Sequence, residues 1–252
     1  MNHYILLIVI SISLAASGML SLTSFHKANA FEPIAVIELF TSQGCSSCPP
    51  ADKLLSKTLV EAREEGSKIF ALSYHVDYWN RLGWADPFSN KKYSDRQNMY
   101  ASVLNPGTVY TPQMIVNGTQ EFVGSDENKL DNALKEALQQ NSDAAFKNFV
   151  ITTNPEKPAQ VQYELEGDFQ NCNVLIALVS LKETTEVKRG ENSGRTLENE
   201  NVVRELVSAK AGPSGEINLR SANSIIKNNA AIVGFIQQSD NLKIIGAVMK
   251  AL

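Results

Sequence analysis

A Cys-x-x-Cys motif between a buried strand and a helix constrains the fold of this chain more than any other feature. The motif is Cys45-Ser46-Ser47-Cys48. Before it, residues 34–40 form a run of branched and apolar side chains, which predicts a strand buried on both faces. From Pro49, apolar residues recur at three- and four-residue steps, which predicts a helix that Gly66 ends. A second strand is predicted over 68–74, and together these elements indicate a βαβ unit with parallel strands.

The rest of the first half predicts a helix, a β-hairpin and a further helix. We expect a loop after the second strand and then a helix from about residue 90. Residues 113–116 and 121–123 predict two strands joined by the turn signal Asn117-Gly118. Ser125 is expected to open the next helix. The predicted order of elements is therefore β, α, β, α, β, β, α.

Beyond about residue 143 the pattern is typical of β-structure. Alternating or apolar segments such as 161–165 and 230–237 are separated by Pro, Gly and Asn turns. This predicts a separate all-β, sandwich-like domain, within which the polar stretch 188–195 is expected to be a solvated loop. The predicted division of the chain is a signal peptide over 1–30, an α/β domain over 31–143 and a β-rich C-terminal domain over 144–252.

The N-terminal segment is typical of a secretory signal peptide. Residues 4–22 are uncharged and mostly apolar, and Ala28-Asn29-Ala30 resembles a signal-peptidase site ahead of Phe31. Met1, Asn2 and His3 supply no Lys or Arg, and the apolar stretch approaches the length that spans a bilayer, so a retained membrane anchor is the alternative. In both cases we expect the folded part to be exported, either periplasmic or secreted.

Charge and cysteine content narrow the classes of function. A net charge of −4 and a pI of 5.5 argue against a basic nucleic-acid-binding surface. Three cysteines are too few for a domain held together by disulfides. Cys172 precedes the apolar run 174–179, and we expect it to be a buried, inert thiol at a strand edge. Contact with a membrane is expected only if the N-terminal segment is retained.

Three features together resemble the thioredoxin-like fold: the Cys pair after the first strand, the helix behind it, and Thr111-Pro112 before the predicted hairpin. In that fold the proline is cis and faces the active cysteines, and the resemblance implies this role for Pro112. The loop departs from thioredoxin itself, because Gly44 stands in place of a tryptophan and Ser46-Ser47 in place of Gly-Pro. A glutaredoxin-like loop is the nearer local comparison.

Longer segments resemble the secreted bacterial family called domain of unknown function 1223. The segments that carry the resemblance are 38–52, 75–79, 109–113 and 189–197. They span nearly the whole predicted mature chain. The resemblance implies a fold and an exported location rather than an activity.

The Cys pair is suited to thiol–disulfide exchange, in which one thiolate attacks a disulfide and the second resolves the mixed disulfide. Chain order predicts Cys45 as the nucleophile and Cys48 as the resolving cysteine. Helix N-terminal N–H groups favour a thiolate, but Pro49-Pro50 predicts that the regular helix begins only after Cys48, which weakens this effect on Cys45. The expected partners are protein or small-molecule thiols and disulfides, and the reaction needs no cofactor.

Two other functions fit the same pair. Cys45 and Cys48 could be two soft ligands for copper or zinc, with His75 as the third. They could also form an inert disulfide in a redox-inactive binding module. Reversible redox activity of the metal-free protein distinguishes exchange from both alternatives.

His75 and Asp77 follow the second predicted strand, which ends at the same sheet edge as the first. Alternation along a strand places both side chains on one face, where they could relay protons or bind a metal. The alternative is that they hydrogen-bond to hold the loop that contains Trp79, Trp84 and Phe88. The predicted site therefore consists of Cys45, Cys48, Pro112, His75 and Asp77.

Overall fold

A computed structural model describes residues 31–104, 109–154, 157–220 and 229–252. The predicted signal segment, 1–30, lies outside the described residues. The helices are α1 (Pro49–Glu65), α2 (Lys91–Leu104) and α3 (Glu127–Leu138), with a short 3-10 helix over Asn80–Leu82. The strands are β1 (Ala35–Thr41), β2 (Ile69–His75), β3 (Gln113–Val116), β4 (Gln120–Val123), β5 (Ala144–Asn154), β6 (Lys157–Gly167), β7 (Cys172–Glu186), β8 (Thr196–Lys210), β9 (Ser214–Leu219), β10 (Ala230–Gln238) and β11 (Ile244–Ala251). Within these ranges no helix is long and apolar enough to cross a membrane.

The predicted βαβ unit is confirmed. β1 is buried along its whole length and pairs in parallel with β2, from Ala35 opposite Ile69 to Thr41 opposite His75. Both strands therefore end at the same edge of the sheet. The connecting helix ends at Gly66, which has a φ of 70°. This left-handed conformation is common where a helix stops.

The predicted order of elements in the first half is also confirmed. β3 runs antiparallel to β1 and forms a hairpin with β4. Its turn contains Asn117 and Gly118, both with positive φ. α3 begins one residue later than predicted, because Asp126 rather than Ser125 accepts the capping hydrogen bond from the Lys129 N–H.

Strands from both halves of the chain form one eight-stranded sheet, in the order β11-β10-β7-β8-β2-β1-β3-β4. β8 joins β2 in parallel, with Ser73 opposite Val202. The Ser73 hydroxyl donates to the Glu200 carbonyl at 2.7 Å. The overall architecture is therefore mixed α/β, and the boundary at residue 143 stays a prediction.

A second sheet, in the order β5-β6-β9, covers one face of the C-terminal strands. Its apolar side chains, such as Val161 and Ile217, share a core with Ile176 and Ile232 of the large sheet. The other core clusters lie on the two faces of the large sheet near β1 and β2. Burial of these apolar surfaces is the main stabilising contribution to the packed layers.

A buried ion pair links α2 to the centre of β1. Arg96 Nε lies 2.6 Å from Glu38 Oε1, and Nη2 lies 3.0 Å from Oε2. The Tyr100 hydroxyl also donates to Glu38, and Arg96 donates to Gln237 Oε1 of β10 at 3.2 Å. This network therefore joins the first half of the chain to the C-terminal strands.

Replacing Arg96 with Met is expected to lower the free energy of unfolding by about 3–5 kcal/mol, because Glu38 would be left as a buried charge without its cation. Urea titration measures the change. Lys91→Ala, which removes the exposed pair with Asp95 on the same helix, is the matched control and should cost about 0.5 kcal/mol or less. A loss of under about 1 kcal/mol for Arg96→Met would contradict this account.

Candidate functional site

Cys45 and Cys48 form a disulfide between the end of β1 and the start of α1. Their Cα atoms lie 5.4 Å apart, within the range of about 4.4–6.8 Å that disulfides require. Each cysteine is 0% exposed. Ser46 and Ser47 between them are exposed. The motif thus reaches the surface through its two serines while its sulfur atoms are covered.

The regular helix begins directly after Cys48, as predicted. Cys48 is the N-cap residue, and its carbonyl accepts from the N–H groups of Ala51 at 2.9 Å and Asp52 at 3.1 Å. Pro49 and Pro50 occupy the first two helical positions and have no N–H to donate. The start of α1 therefore presents fewer free donors than an ordinary helix N-terminus.

The Thr111–Pro112 peptide bond is cis, as predicted, and lies beside the motif. The Ser47 hydroxyl donates to the Thr111 carbonyl at 3.4 Å. Trp79 Nε1 donates to the Thr111 hydroxyl at 2.7 Å. A Cβ atom on Gly124 would lie 3.1 Å from Pro112 Cβ and 3.2 Å from Ala51 Cβ. The absence of a side chain at Gly124 therefore allows the proline segment and α1 to approach each other.

His75 pairs with Asp86, not with Asp77. The His75 side chain is buried, and its Nδ1 lies 2.7 Å from Asp86 Oδ2. Asp77 instead accepts a hydrogen bond from the Ser94 hydroxyl at 2.5 Å. The prediction that Asp77 shares a strand face with His75 is wrong, because β2 ends at His75 and alternation does not continue beyond it. Asp77 is thus bonded to Ser94 of α2 rather than to His75.

The surroundings of Asp86 define the tautomer of His75. Burial acts to raise the pKa of Asp86, but the His75 ring and the N–H groups of Gln43 and Phe88 outweigh it and lower the pKa. Asp86 is therefore an acceptor, and His75 Nδ1 donates to it. In the neutral tautomer Nε2 then carries the lone pair. This buried nitrogen has no hydrogen-bond partner among the residues that the structure describes.

Asp52 is a third buried ionisable side chain at the site, and it is not among the site residues predicted from the sequence. Its Oδ1 accepts from the Thr41 hydroxyl at 3.0 Å. Burial raises its pKa to about 6, although His75 and hydrogen bonds from Thr41 and Asn199 act in the opposite direction. The available signal was its position four residues after Cys48, since residues at this spacing share a helix face.

The C-terminal half supplies further contacts to the Cys motif through Gln43. The side-chain Nε2 of Gln43 donates to the Thr185 hydroxyl at 3.0 Å and to Asn199 Oδ1 at 3.3 Å. Its Oε1 accepts from Trp84 Nε1 at 3.2 Å. The segment before Cys45 is therefore held by side chains of β7 and β8 and by Trp84.

The loop 188–195 is not simply solvated as predicted. Asn192 within it is 0% exposed. Its Nδ2 donates to the Gln43 carbonyl at 2.9 Å and to the Cys45 carbonyl at 2.8 Å. Glu191 Oε2 accepts from the Ser46 N–H at 3.0 Å. The loop is therefore part of the site, and the signal for it was the similarity of this stretch to the family pattern.

The third cysteine lies apart from this site. Cys172 is the first residue of β7, and it is a free, buried thiol, as predicted. Burial and nearby acidic residues raise its pKa. Across the described ranges, no group of three or more His, Cys, Asp and Glu side chains is placed to hold a metal ion.

Comparison with known proteins identifies the family. Residues 36–237 match the model of a family described as a protein of unknown function, DUF1223. The chain belongs to the DUF1223 family. A search of curated proteins finds no relative that matches it.

Two solved structures are similar to this DUF1223 chain. A protein from Agrobacterium tumefaciens is 28% identical, with a TM-score of 0.66, over 87% of this chain and 95% of that chain. HBP35 of Porphyromonas gingivalis is 17% identical, with a TM-score of 0.66, over 88% of this chain and 76% of that chain. At 17% identity, the likeness to HBP35 concerns the fold alone.

Replacing Asp52 with Asn is expected to stabilise this DUF1223 protein at alkaline pH. The folded state keeps the Asp52 proton up to about pH 6, whereas an unfolded chain releases it near the ordinary pKa of 3.8. Stability is therefore lost as the pH rises through this window. The loss amounts to at most about 3 kcal/mol at pH 8 and is absent at pH 3.

Urea titration of the oxidised protein at several pH values measures this difference. Asp52→Asn should remove the pH dependence between 4 and 6, whereas Asp131→Asn on the exposed face of α3 should leave it unchanged. Parallel stability curves for wild type and Asp52→Asn would contradict the assignment.

Proposed function

We propose that this DUF1223 protein is an exported thiol–disulfide oxidoreductase whose first half is a thioredoxin-like domain. The observation that carries the proposal is the Cys45–Cys48 disulfide at the start of α1, beside the Thr111–Pro112 segment. A structural disulfide that merely joins distant segments would close a longer loop, whereas two intervening residues leave little chain to constrain. This short spacing instead suits resolution of a mixed disulfide.

The reaction conserves atoms and electrons without a cofactor. A partner thiolate attacks the Cys45 sulfur, the Cys45–Cys48 bond breaks, and Cys48 leaves as a thiolate that takes up a proton. A second partner thiolate then displaces Cys45 from the mixed disulfide. The pair gains two electrons and two protons in total, and the two partner thiols become a disulfide. The reverse sequence oxidises the pair and reduces a partner disulfide.

Asp52 supports this chemistry through its protonation. A carboxyl group with a pKa of about 6 changes its protonation near neutral pH. Asp52 lies one helical turn after Cys48, and His75 is close enough to lower the Asp52 pKa electrostatically. We therefore assign Asp52 as the group that tunes proton exchange at Cys48, and His75, positioned by Asp86, as a group that lowers the Asp52 pKa. Asp77 is not part of this assignment.

An exported location agrees with the redox state of the pair. Disulfides persist in the periplasm and outside the cell and are rare in the cytosol. The apolar N-terminal segment and Ala28-Asn29-Ala30 together resemble a secretory signal peptide, which agrees with export. The proposed partners are therefore thiols and disulfides of exported molecules.

The variants Cys48→Ser and Cys45→Ser test the assigned roles. In Cys48→Ser the nucleophile remains but cannot be released, so mixed disulfides should accumulate in non-reducing gels of the exported fraction. Cys45→Ser should trap little or nothing. Cys172→Ser is the control, because that thiol is buried and distant from the motif in the chain.

Other patterns of trapping have different meanings. Trapping by Cys45→Ser alone would reverse the two roles and leave the proposed function intact. Absence of trapping by both variants, together with a wild-type pair that cannot be reduced reversibly in folded protein, would overturn the proposal. A bound copper or zinc ion that is lost on replacing either cysteine would then favour metal handling.

A further inference from the structure

The proposed reaction requires access to a disulfide that is covered. Both cysteines are 0% exposed, although Ser46 and Ser47 between them reach the solvent. Exchange requires a thiolate to reach a sulfur atom, and its rate depends on that access. If the pair reacts with thiols, a covering segment must therefore move first.

The loop 188–195, between β7 and β8, is joined to the backbone around Cys45 by three hydrogen bonds. Asn192 donates to the carbonyls of Gln43 and Cys45, and Glu191 accepts from the N–H of Ser46. Arg195 Nη1 donates to Asn192 Oδ1 at 2.8 Å, which orients the amide with its NH₂ group toward the two carbonyls. Asn192 is therefore the buried anchor of an otherwise exposed loop.

The loop is built to keep its shape if it separates from the motif. The Gly194 N–H donates to the Val187 carbonyl at 2.8 Å, and the Val187 N–H donates to the Arg195 carbonyl at 2.9 Å. The loop also approaches Trp84, since a Cβ atom on Gly190, which has a φ of +74°, would lie 3.2 Å from Trp84 Cβ. Internal hydrogen bonds thus close the loop on itself, whereas its hydrogen bonds to 43–46 are made by the side chains of Asn192 and Glu191.

The loop makes hydrogen bonds to backbone groups that a bound polypeptide could bond in its place. They are two backbone carbonyls, of Gln43 and Cys45, and one backbone N–H, of Ser46. An extended peptide carries N–H donors and carbonyl acceptors that can replace these bonds. A thiol of low molecular weight leaves more of them unreplaced, so opening the loop is less favourable for it.

We propose that the loop 188–195 is the segment that covers the disulfide, and that Asn192 and Glu191, by holding it in place, disfavour low-molecular-weight thiols and admit polypeptide partners that displace the loop. This inference rests on the proposed exchange at Cys45–Cys48. It makes the C-terminal half of the chain the selective element of the site.

The test compares the rates at which two reductants reduce the oxidised, folded protein. The reductants are dithiothreitol and an unfolded, cysteine-containing polypeptide, and alkylation followed by mass spectrometry counts the released thiols. Asn192→Ala should raise the dithiothreitol rate by about tenfold or more, as expected when hydrogen bonds that close the loop are removed. The rate with the polypeptide should rise less, so the ratio of polypeptide to dithiothreitol rates should fall.

Two further variants separate this effect from loss of structure. Glu191→Ala alters an exposed side chain and should shift the ratio in the same direction by a smaller factor, even if Asn192→Ala does not fold. Ser193→Ala is the matched control, since the Ser193 hydroxyl donates within the loop, to the Lys188 carbonyl at 3.1 Å. It should leave both rates unchanged.

The outcomes distinguish this proposal from the proposed function. If Asn192→Ala and Glu191→Ala are reduced by dithiothreitol and by the polypeptide at the same rates as wild type, the loop has no role in selecting the thiol. That result would overturn the inference and leave the proposed exchange at Cys45–Cys48 intact. If neither reductant can reduce the Cys pair in folded wild type, Asn192→Ala or Glu191→Ala, both the proposed exchange and this inference are overturned.

Discussion

The pairing of β8 with β2 is the contact on which the arrangement of the site depends. β2 would otherwise expose an unpaired edge next to the strand end that carries His75. β7 and β8 pair from Asn173 opposite Lys210 to Glu186 opposite Thr196, so the position of their connecting loop follows from where β8 meets β2. Side chains of α1 and α2 also bind β8: the Ser56 hydroxyl donates to Glu200 Oε1 at 2.6 Å, and the Tyr93 hydroxyl donates to the Val203 carbonyl at 2.9 Å. The backbone at the Cys motif is consequently hydrogen-bonded to Asn192, more than 140 positions later in the chain.

Two groups of buried charges differ in how completely they are hydrogen-bonded. Glu38 and Arg96 satisfy each other through two contacts, with Tyr100 and Gln237 as further partners. The buried groups around the disulfide are less completely hydrogen-bonded. Burial raises the Asp52 pKa to about 6. His75 Nε2 has no hydrogen-bond partner in the described part of the chain. Burial also raises the pKa of Tyr100 in the first group, so a shifted pKa does not by itself separate the two groups. The second group lies beside the Cys pair, and the proposed proton exchange therefore concerns Asp52, whereas the Glu38–Arg96 pair joins α2 to β1.

Local sequence patterns predicted the elements that carry the Cys pair, because β1, α1 and β2 follow one another with clear periodicity and with proline and glycine at the helix ends. The partner of His75 could not be predicted in this way. The chain turns after β2 through the 3-10 helix, where Asn80 Oδ1 accepts from the Asp86 N–H at 3.0 Å, and this brings Asp86 rather than Asp77 to the histidine. Asn192 also had no periodic signal, since it is a single buried residue in a polar loop. Its role depends on long-range strand pairing that no local pattern encodes.

A redox titration of the folded protein tests directly whether Cys45 and Cys48 undergo reversible thiol–disulfide exchange. Samples freed of metal are equilibrated with a series of reduced and oxidised dithiothreitol buffers, quenched with an alkylating agent and analysed by mass spectrometry, while circular dichroism monitors the fold. If Cys45 and Cys48 exchange with thiols, folded protein should show one reversible two-electron transition that is absent in the Cys45→Ser and Cys48→Ser variants. A pair that stays oxidised across the whole series, or that is reduced only when the protein unfolds, would rule out this exchange.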